Sequence, residues 1–217
     1  MSRFKLLILD CDGVLVDSER ITNTVFAAML NELGMAVTLD DMFEQFVGHS
    51  MPQCLEKVGA LLGAAPPADF VAEYRRRCDA ALGAELVAVP GIESALDRIR
   101  LPCCVASSGD HDKMRTTLGI TGLLARFEGR LFSVTEVAAP KPAPDVFLYA
   151  AARCGVTPAD CVVVEDTPTG VRAAVAAGMT VFGYAALTPA QRLRDAGAHR
   201  LFTQMEMLPE LLDGMPP

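Results

Sequence analysis

No run of apolar residues in this chain approaches the roughly 18 that a membrane span needs, and Met1-Ser2-Arg3-Phe4-Lys5 leads straight into a short apolar strand rather than a signal segment. A cytoplasmic protein without a membrane partner is the expectation. Positive charge is also scarce: 19 Lys and Arg against 27 Asp and Glu leave a formal charge of -8. Nothing here draws in nucleic acid or an anionic membrane, although a local positive pocket can still hold a small anion. The seven cysteines are odd in number and contain no C-x-x-C pair, which excludes the usual zinc spacings and a paired disulfide framework; reduced, mostly structural thiols are expected. There is no internal repeat, and the one biased stretch is the Ala/Gly/Pro patch around residues 62–68.

What is present is an alternation. Lys5 to Asp10 reads KLLILD, and similar short apolar runs recur at residues 103–107, 161–165 and 180–183, each the length of a strand covered on both faces. Helix-like stretches lie between them at 92–100, 112–118, 145–154 and 170–177, with Gly119, Gly155 and Gly178 placed to stop them. That order predicts an α/β fold with a parallel sheet. Residues 17–87 break the rhythm. They carry helical spacing, as in Ile21, Val25, Ala28, Met29 and Leu33, but no buried strand, and read as a helical insertion. The expected organisation is therefore a core of residues 1–16 and 88–217 with a small helical domain over 17–87.

Ligands of open α/β sheets gather beyond the carboxyl ends of the strands. The first strand delivers Asp10-Cys11-Asp12-Gly13 there, the second Ser107-Ser108-Gly109, a later one Glu165-Asp166, and a loop adds Lys141 in Pro140-Lys141-Pro142. Clustered carboxylates repel one another at low dielectric and need cations. A divalent metal together with Lys141 would supply them, and Mg²⁺ suits such oxygen donors while keeping room for a phosphate oxygen. Asp10 and Asp166 each offer a carboxylate oxygen, with Glu165 beside them. An aspartate can also act as nucleophile toward phosphorus, and Asp12, two residues on, is spaced to give the leaving group a proton. Ser107, Ser108 and the backbone N–H groups of the turn at Cys11 and Gly13 could hold phosphate oxygens, with Lys141 neutralising charge. Each signal alone is weak, since a D-x-D at a strand end commonly serves as a turn and Ser107-Ser108 as a helix cap. The four groups argue jointly, by falling at one sheet edge in the order one mechanism uses.

Those residues resemble the haloacid dehalogenase superfamily of aspartate-nucleophile phosphotransferases. The likeness rests on Leu7-Ile8-Leu9-Asp10-Cys11-Asp12-Gly13-Val14, Val105-Ala106-Ser107-Ser108-Gly109, Lys141-Pro142-Ala143-Pro144-Asp145 and Val163-Val164-Glu165-Asp166-Thr167, in the family's order over nearly the whole chain. The resemblance implies a Rossmann-like core with a helical cap. It also implies Asp10 as nucleophile, Asp12 as acid/base, Asp10, Asp12 and Asp166 around Mg²⁺, and Ser107 and Lys141 on the phosphate. Asp12 is absent from the named dehalogenases, which turns the expectation from carbon–halogen bonds to phosphate esters. Within the β-phosphoglucomutase-like branch, the cap loop Gly48-His49-Ser50 is the expected reader of the leaving group. Thr22 and Met51 stand where the mutases carry a histidine and an arginine. The resemblance is thus to bacterial sugar-phosphate phosphatases, including the 6-phosphogluconate phosphatases. It implies hydrolysis of a small phosphorylated metabolite by a monomer or weak homo-oligomer, with a phosphomutase or a non-catalytic binding protein as the alternatives.

Overall fold

The computed structural model describes residues 3–47 and 51–214. The expected cap-loop residues Gly48, His49 and Ser50 lie outside the described residues. The chain divides into two compact units, Met1–Asp17 with Val87–Pro217, and Ser18–Leu86. No helix among the described residues is long and apolar enough to cross a membrane.

The larger unit is built on six parallel strands: β1 (Leu6–Leu9), β2 (Cys103–Ser107), β3 (Leu131–Ser133), β4 (Cys161–Glu165), β5 (Thr180–Tyr184) and β6 (Arg200–Phe202). Their order in the sheet is β3-β2-β1-β4-β5-β6, a Rossmann-like arrangement. β1, β4 and β5 are buried along their whole length, as the continuous apolar runs predict for strands covered on both faces. Parallel register sets Ile8 beside Cys104 on one side and beside Val163 on the other. Along the chain come the helices α1 (Ser18–Glu32), α2 (Leu39–Gln45), α3 (Met51–Leu62), α4 (Phe70–Glu85), α5 (Ile92–Arg98), α6 (His111–Ile120), α7 (Leu124–Phe127), α8 (Asp145–Arg153), α9 (Pro168–Ala176), α10 (Ala190–Asp195) and α11 (Leu208–Asp213). On one sheet face Leu6, Ile8, Cys104 and Val163 meet Phe147 and Ala150 of α8, Val171 and Ala174 of α9 and Leu193 of α10 in a single apolar cluster. Burying a side chain of that size from water is worth about 1.5–3 kcal/mol, so this face carries much of the unit's stability.

The smaller unit is α1 to α4. Its core gathers around Phe26, whose ring meets Phe46, Phe70 and Tyr74 edge-on at 5.7, 5.6 and 5.2 Å between centroids. Helix α2 starts on a reciprocal cap: Asp41 N–H donates to Thr38 Oγ1 at 3.2 Å and Thr38 N–H donates to Asp41 Oδ2 at 2.8 Å.

Candidate active site

The sheet order reverses at β1, with β2 and β3 on one side and β4 to β6 on the other. Such a reversal of strand order marks the crevice at the carboxyl ends of β1 and its neighbours where α/β proteins bind ligands. Three strands end there: β1 before Asp10, β2 at Ser107, and β4 at Glu165, followed by Asp166. Each of these four side chains is buried.

Lys141 is the hub. Its ammonium donates to Asp10 Oδ1 at 2.6 Å, Glu165 Oε1 at 2.7 Å and the Ala106 carbonyl at 3.0 Å, and lies over the Phe147 ring at 4.7 Å. The peptide bond from Lys141 to Pro142 is cis. Burial alone would pull the Lys141 ammonium down toward neutrality, but the charges and hydrogen bonds of Asp10 and Glu165 hold it above the ordinary lysine value. Burial pushes the Asp10 carboxyl up to about 7, against the pull of Lys141 and with reinforcement from Glu165 and Asp12. Asp10, Glu165 and Asp166 each bring a ligating atom within 4.8 Å of the others. Three buried, hard oxygen donors this close match the donor chemistry of Mg²⁺, which takes few carboxylates and keeps water.

Glu165 is held at both ends of its carboxylate. While Oε1 takes Lys141, Oε2 accepts the Thr167 N–H at 3.2 Å and the Thr167 hydroxyl at 3.0 Å. Thr167 also caps α9, its Oγ1 accepting the Gly170 N–H at 3.1 Å. A methyl group on Gly170 would overlap the Glu165 carboxylate, so the glycine makes room for the acid.

The turn after β1 is tight. Leu15 and Val16 both donate to the Cys11 carbonyl, and Gly13, at φ 76°, donates its N–H to the Val16 carbonyl at 2.9 Å, so that amide is engaged within the turn. The Cys11 thiol is buried and packs 3.9 Å from Thr117 Oγ1; burial and the adjoining Asp12 and Asp10 charges raise it above the ordinary thiol range. Ser107 Oγ accepts the Gly109 N–H at 3.0 Å, and Ser133 at the end of β3 donates to the Gly109 carbonyl at 2.7 Å, tethering the loop. Ser108 is exposed.

Lys113 was not singled out from the sequence, and Thr167 and Gly170 entered its reading only as a motif residue and a helix start, without a role. Lys113 donates to Asp12 Oδ2 at 2.8 Å, so Asp12 meets a second lysine, separate from the one that holds Asp10. The signal that could have found it is positional: α6 begins directly after the Ser107–Gly109 loop with Asp110 as its cap, which sets the third helical residue over that loop.

In the smaller unit, a cavity of about 190 Å³ is lined by Glu19, Thr22, Asn23, Phe26, Met51 and Tyr74 among others. Asn23 Nδ2 donates to Glu19 Oε2 at 3.2 Å on its polar side.

A parallel α/β sheet whose switch point gathers three carboxylates, a buried lysine and a serine defines a phosphoryl-handling α/β enzyme. The family model of haloacid dehalogenase-like hydrolases matches residues 4–178, and the chain belongs to that family. It is similar to the 6-phosphogluconate phosphatase of Escherichia coli (strain K12), 32% identical over 214 residues covering 97% of this chain and 96% of that protein. Hexitol phosphatase A of the same organism is 30% identical over 199 residues, with 89% and 88% covered. Among solved structures, a haloacid dehalogenase-like protein of unknown function from Agrobacterium tumefaciens superposes with a TM-score of 0.94 at 35% identity, over 98% of this chain and 99% of that one. The protein is a phosphatase of this family.

Proposed function

We propose that the chain is a Mg²⁺-dependent phosphatase that hydrolyses a small phosphorylated metabolite, a sugar or sugar-acid phosphate, through an aspartyl-phosphate on Asp10. The observation that carries this reading is the Lys141 ammonium shared between Asp10 and Glu165, beside a third acid, Asp166, at the sheet's switch point. Similarity to a 6-phosphogluconate phosphatase and a hexitol phosphatase supports the substrate class.

In this mechanism an Asp10 carboxylate oxygen attacks phosphorus as the bond to the leaving oxygen breaks, and Asp12 gives that oxygen its proton. Asp12 then takes a proton from the water that attacks the acyl phosphate, which frees Asp10 and releases phosphate. Ser107 and Lys141 hold phosphate oxygens, and Lys141 offsets charge that grows on them. Glu165, engaged by Lys141 and Thr167, serves chiefly to position the lysine. Bound at Asp10 and Asp166, Mg²⁺ would supply positive charge toward the transferred group. The helical unit would act as the cap that reads the leaving group.

Phosphate release from a panel of sugar, polyol and sugar-acid phosphates tests the reading, with Mg²⁺ or EDTA and with Asp10→Asn as control. Metal-dependent release that disappears in the variant is the expected result. Isomerisation of a hexose 1-phosphate without phosphate release would overturn it.

A further inference from the structure

The loop that follows Ser107 has little of its own to hold it. It runs over residues 108–110 from the end of β2 to the start of α6, and Ser108 and Asp110 in it are exposed. Gly109 packs closely: a methyl on it would lie 3.4 Å from Ser107 Oγ and 3.2 Å from Lys113 Cδ. Its N–H donates to Ser107 Oγ at 3.0 Å, so the Ser107 hydroxyl accepts there and turns its own proton elsewhere. The position of Gly109 therefore sets the direction in which Ser107 can donate.

The groups that fix Gly109 lie at the end of β3. Ser133 is fully buried, and its hydroxyl donates to the Gly109 carbonyl at 2.7 Å while accepting the Thr135 N–H at 3.1 Å. The Ser133 N–H donates in turn to Glu136 Oε2 at 2.8 Å, which makes the two residues a capping box for the short 3-10 turn Val134–Glu136. A capping box asks nothing more of its acid. Here the same oxygen also accepts His111 Nε2–H at 2.8 Å, from the first residue of α6, and Oε1 accepts the Tyr149 hydroxyl of α8 at 3.2 Å. Because a carboxylate only accepts, the bond fixes a proton on His111 Nε2. Partial burial alone would raise the Glu136 carboxyl, but Ser133, His111 and Tyr149 hold it below the ordinary glutamate value, ionised and able to accept from all three.

We propose that Glu136 is a positioning residue for phosphate binding, which braces the Ser107–Gly109 loop through Ser133 at the Gly109 carbonyl and through His111 at the start of α6. The inference rests on the reading in which the Ser107 hydroxyl holds a phosphate oxygen. Glu136 acts through its two arms, which grip the chain on either side of Asp110, the cap of α6. With both in place Gly109 keeps its N–H on Ser107 Oγ, and the serine proton stays aimed at the phosphate. With one cut, the exposed loop gains freedom and Ser107 loses its fixed direction.

The test measures kcat and KM for phosphate release from whichever sugar, polyol or sugar-acid phosphate the protein hydrolyses fastest. The variants are His111→Ala, His111→Gln, Ser107→Ala and the double variant His111→Ala with Ser107→Ala. His111→Ala cuts the α6 arm but leaves the capping box, so its melting temperature stays near the parent's. It should lower kcat/KM about fivefold, the worth of one hydrogen bond to a charged group at a partly exposed position. His111→Gln, whose side-chain amide brings a donor near the place of the imidazole Nε2, should recover most of that loss. Ser107→Ala should lower kcat/KM at least about tenfold. On that background His111→Ala should cost less than about twofold more, because the group being positioned is gone. Full activity in His111→Ala beside an impaired Ser107→Ala would overturn the brace alone, as would an equal loss on both backgrounds. Full activity in Ser107→Ala would overturn the phosphate-holding role of Ser107, and the brace with it.

Discussion

Gly170→Ala sets two forces against each other with opposite signs. Within a helix such as α9, alanine is ordinarily favoured over glycine by roughly 0.5–1 kcal/mol. At this position, however, the added methyl would occupy the space of the Glu165 carboxylate. The start of α9 cannot drift freely, because the Gly170 N–H is tied to Thr167 Oγ1 at 3.1 Å, and Glu165 ends a strand buried along its length. The acid is therefore displaced, and the Lys141 bond at 2.7 Å with it. Breaking a buried ion pair costs about 3–5 kcal/mol; less the helix gain, the net is destabilisation by about 2–4 kcal/mol. At about 2–4 °C per kcal/mol for a chain of this size, the melting temperature falls by about 4–16 °C. Phosphate release falls as well, since Lys141 loses a holder. Thermal unfolding followed by circular dichroism reads the first effect and a phosphate assay the second. Repeating Gly170→Ala on a Glu165→Ala background supplies the control: with the carboxylate gone, the methyl has room, and the substitution becomes neutral or mildly stabilising. A Gly170→Ala protein that melts at or above its parent refutes the steric argument. So does a penalty undiminished on the Glu165→Ala background.

Asp10→Asn should lower phosphate release by at least about a thousandfold with the far-ultraviolet spectrum unchanged, because an amide is no nucleophile toward phosphorus; retained turnover would exclude an aspartyl-phosphate. Mg²⁺ binding should release a proton at pH 6. The Asp10 carboxyl titrates at about 7 without metal, so below that value it is protonated and the cation must displace the proton, its affinity falling about tenfold per pH unit. Titration calorimetry in two buffers of different ionisation heat measures this, and Mg²⁺ binding without proton release at pH 6 would contradict it. Lys113→Met should reduce turnover by about fivefold, from the roughly 1 kcal/mol of a partly exposed pair, with the melting temperature nearly unchanged. Lys113→Arg should recover most of the loss, and full activity in the methionine variant would remove Lys113 from the site.

The central strands were legible because burial on both faces leaves an unbroken apolar run: Leu6–Leu9, Cys103–Ser107, Cys161–Glu165 and Thr180–Tyr184 all stand where such runs occur. β3 and β6 were not. Each has three residues, and β6 begins with the exposed Arg200, so neither presents the long apolar run that betrays an inner strand. The same limit applies to α7, at four residues, and to α10 and α11, at six each. In the site, the acids and Lys141 were readable because each ends a strand or opens a loop at a known edge. Lys113 was not, because a lysine on an amphipathic helix looks like any solvated lysine until the turn after β1 is seen to present Asp12 to it. Gly170 was hidden for another reason. A glycine near a helix start usually signals backbone freedom, whereas here its backbone is ordinary and the space beside it is what counts.

The charge within this cluster explains why its parts depend on one another. Asp10, Glu165 and Asp166 bring three negative charges when ionised against the one positive charge of Lys141, a surplus of two among these four buried groups. A surplus of buried negative charge either takes a proton or recruits a cation. The rise of Asp10 to about 7 is the first response, and a divalent cation is the second, matching the surplus in sign and size. Lys141 alone cannot do both jobs. Its ammonium is held by oxygen atoms of Asp10, Glu165 and Ala106, which secures its place, and it carries one positive charge against three acids. Neutralising Glu165 as Glu165→Gln therefore removes one charge from the surplus as well as one holder of the lysine. On this reasoning it weakens Mg²⁺ binding less than Asp166→Asn, because Glu165 already spends its oxygens on Lys141 and Thr167 while the proposed ligands of the metal are Asp10 and Asp166. Equal loss of Mg²⁺ affinity in the two variants, measured by calorimetry at pH 8, would mean that Glu165 is a metal ligand rather than a support for the lysine.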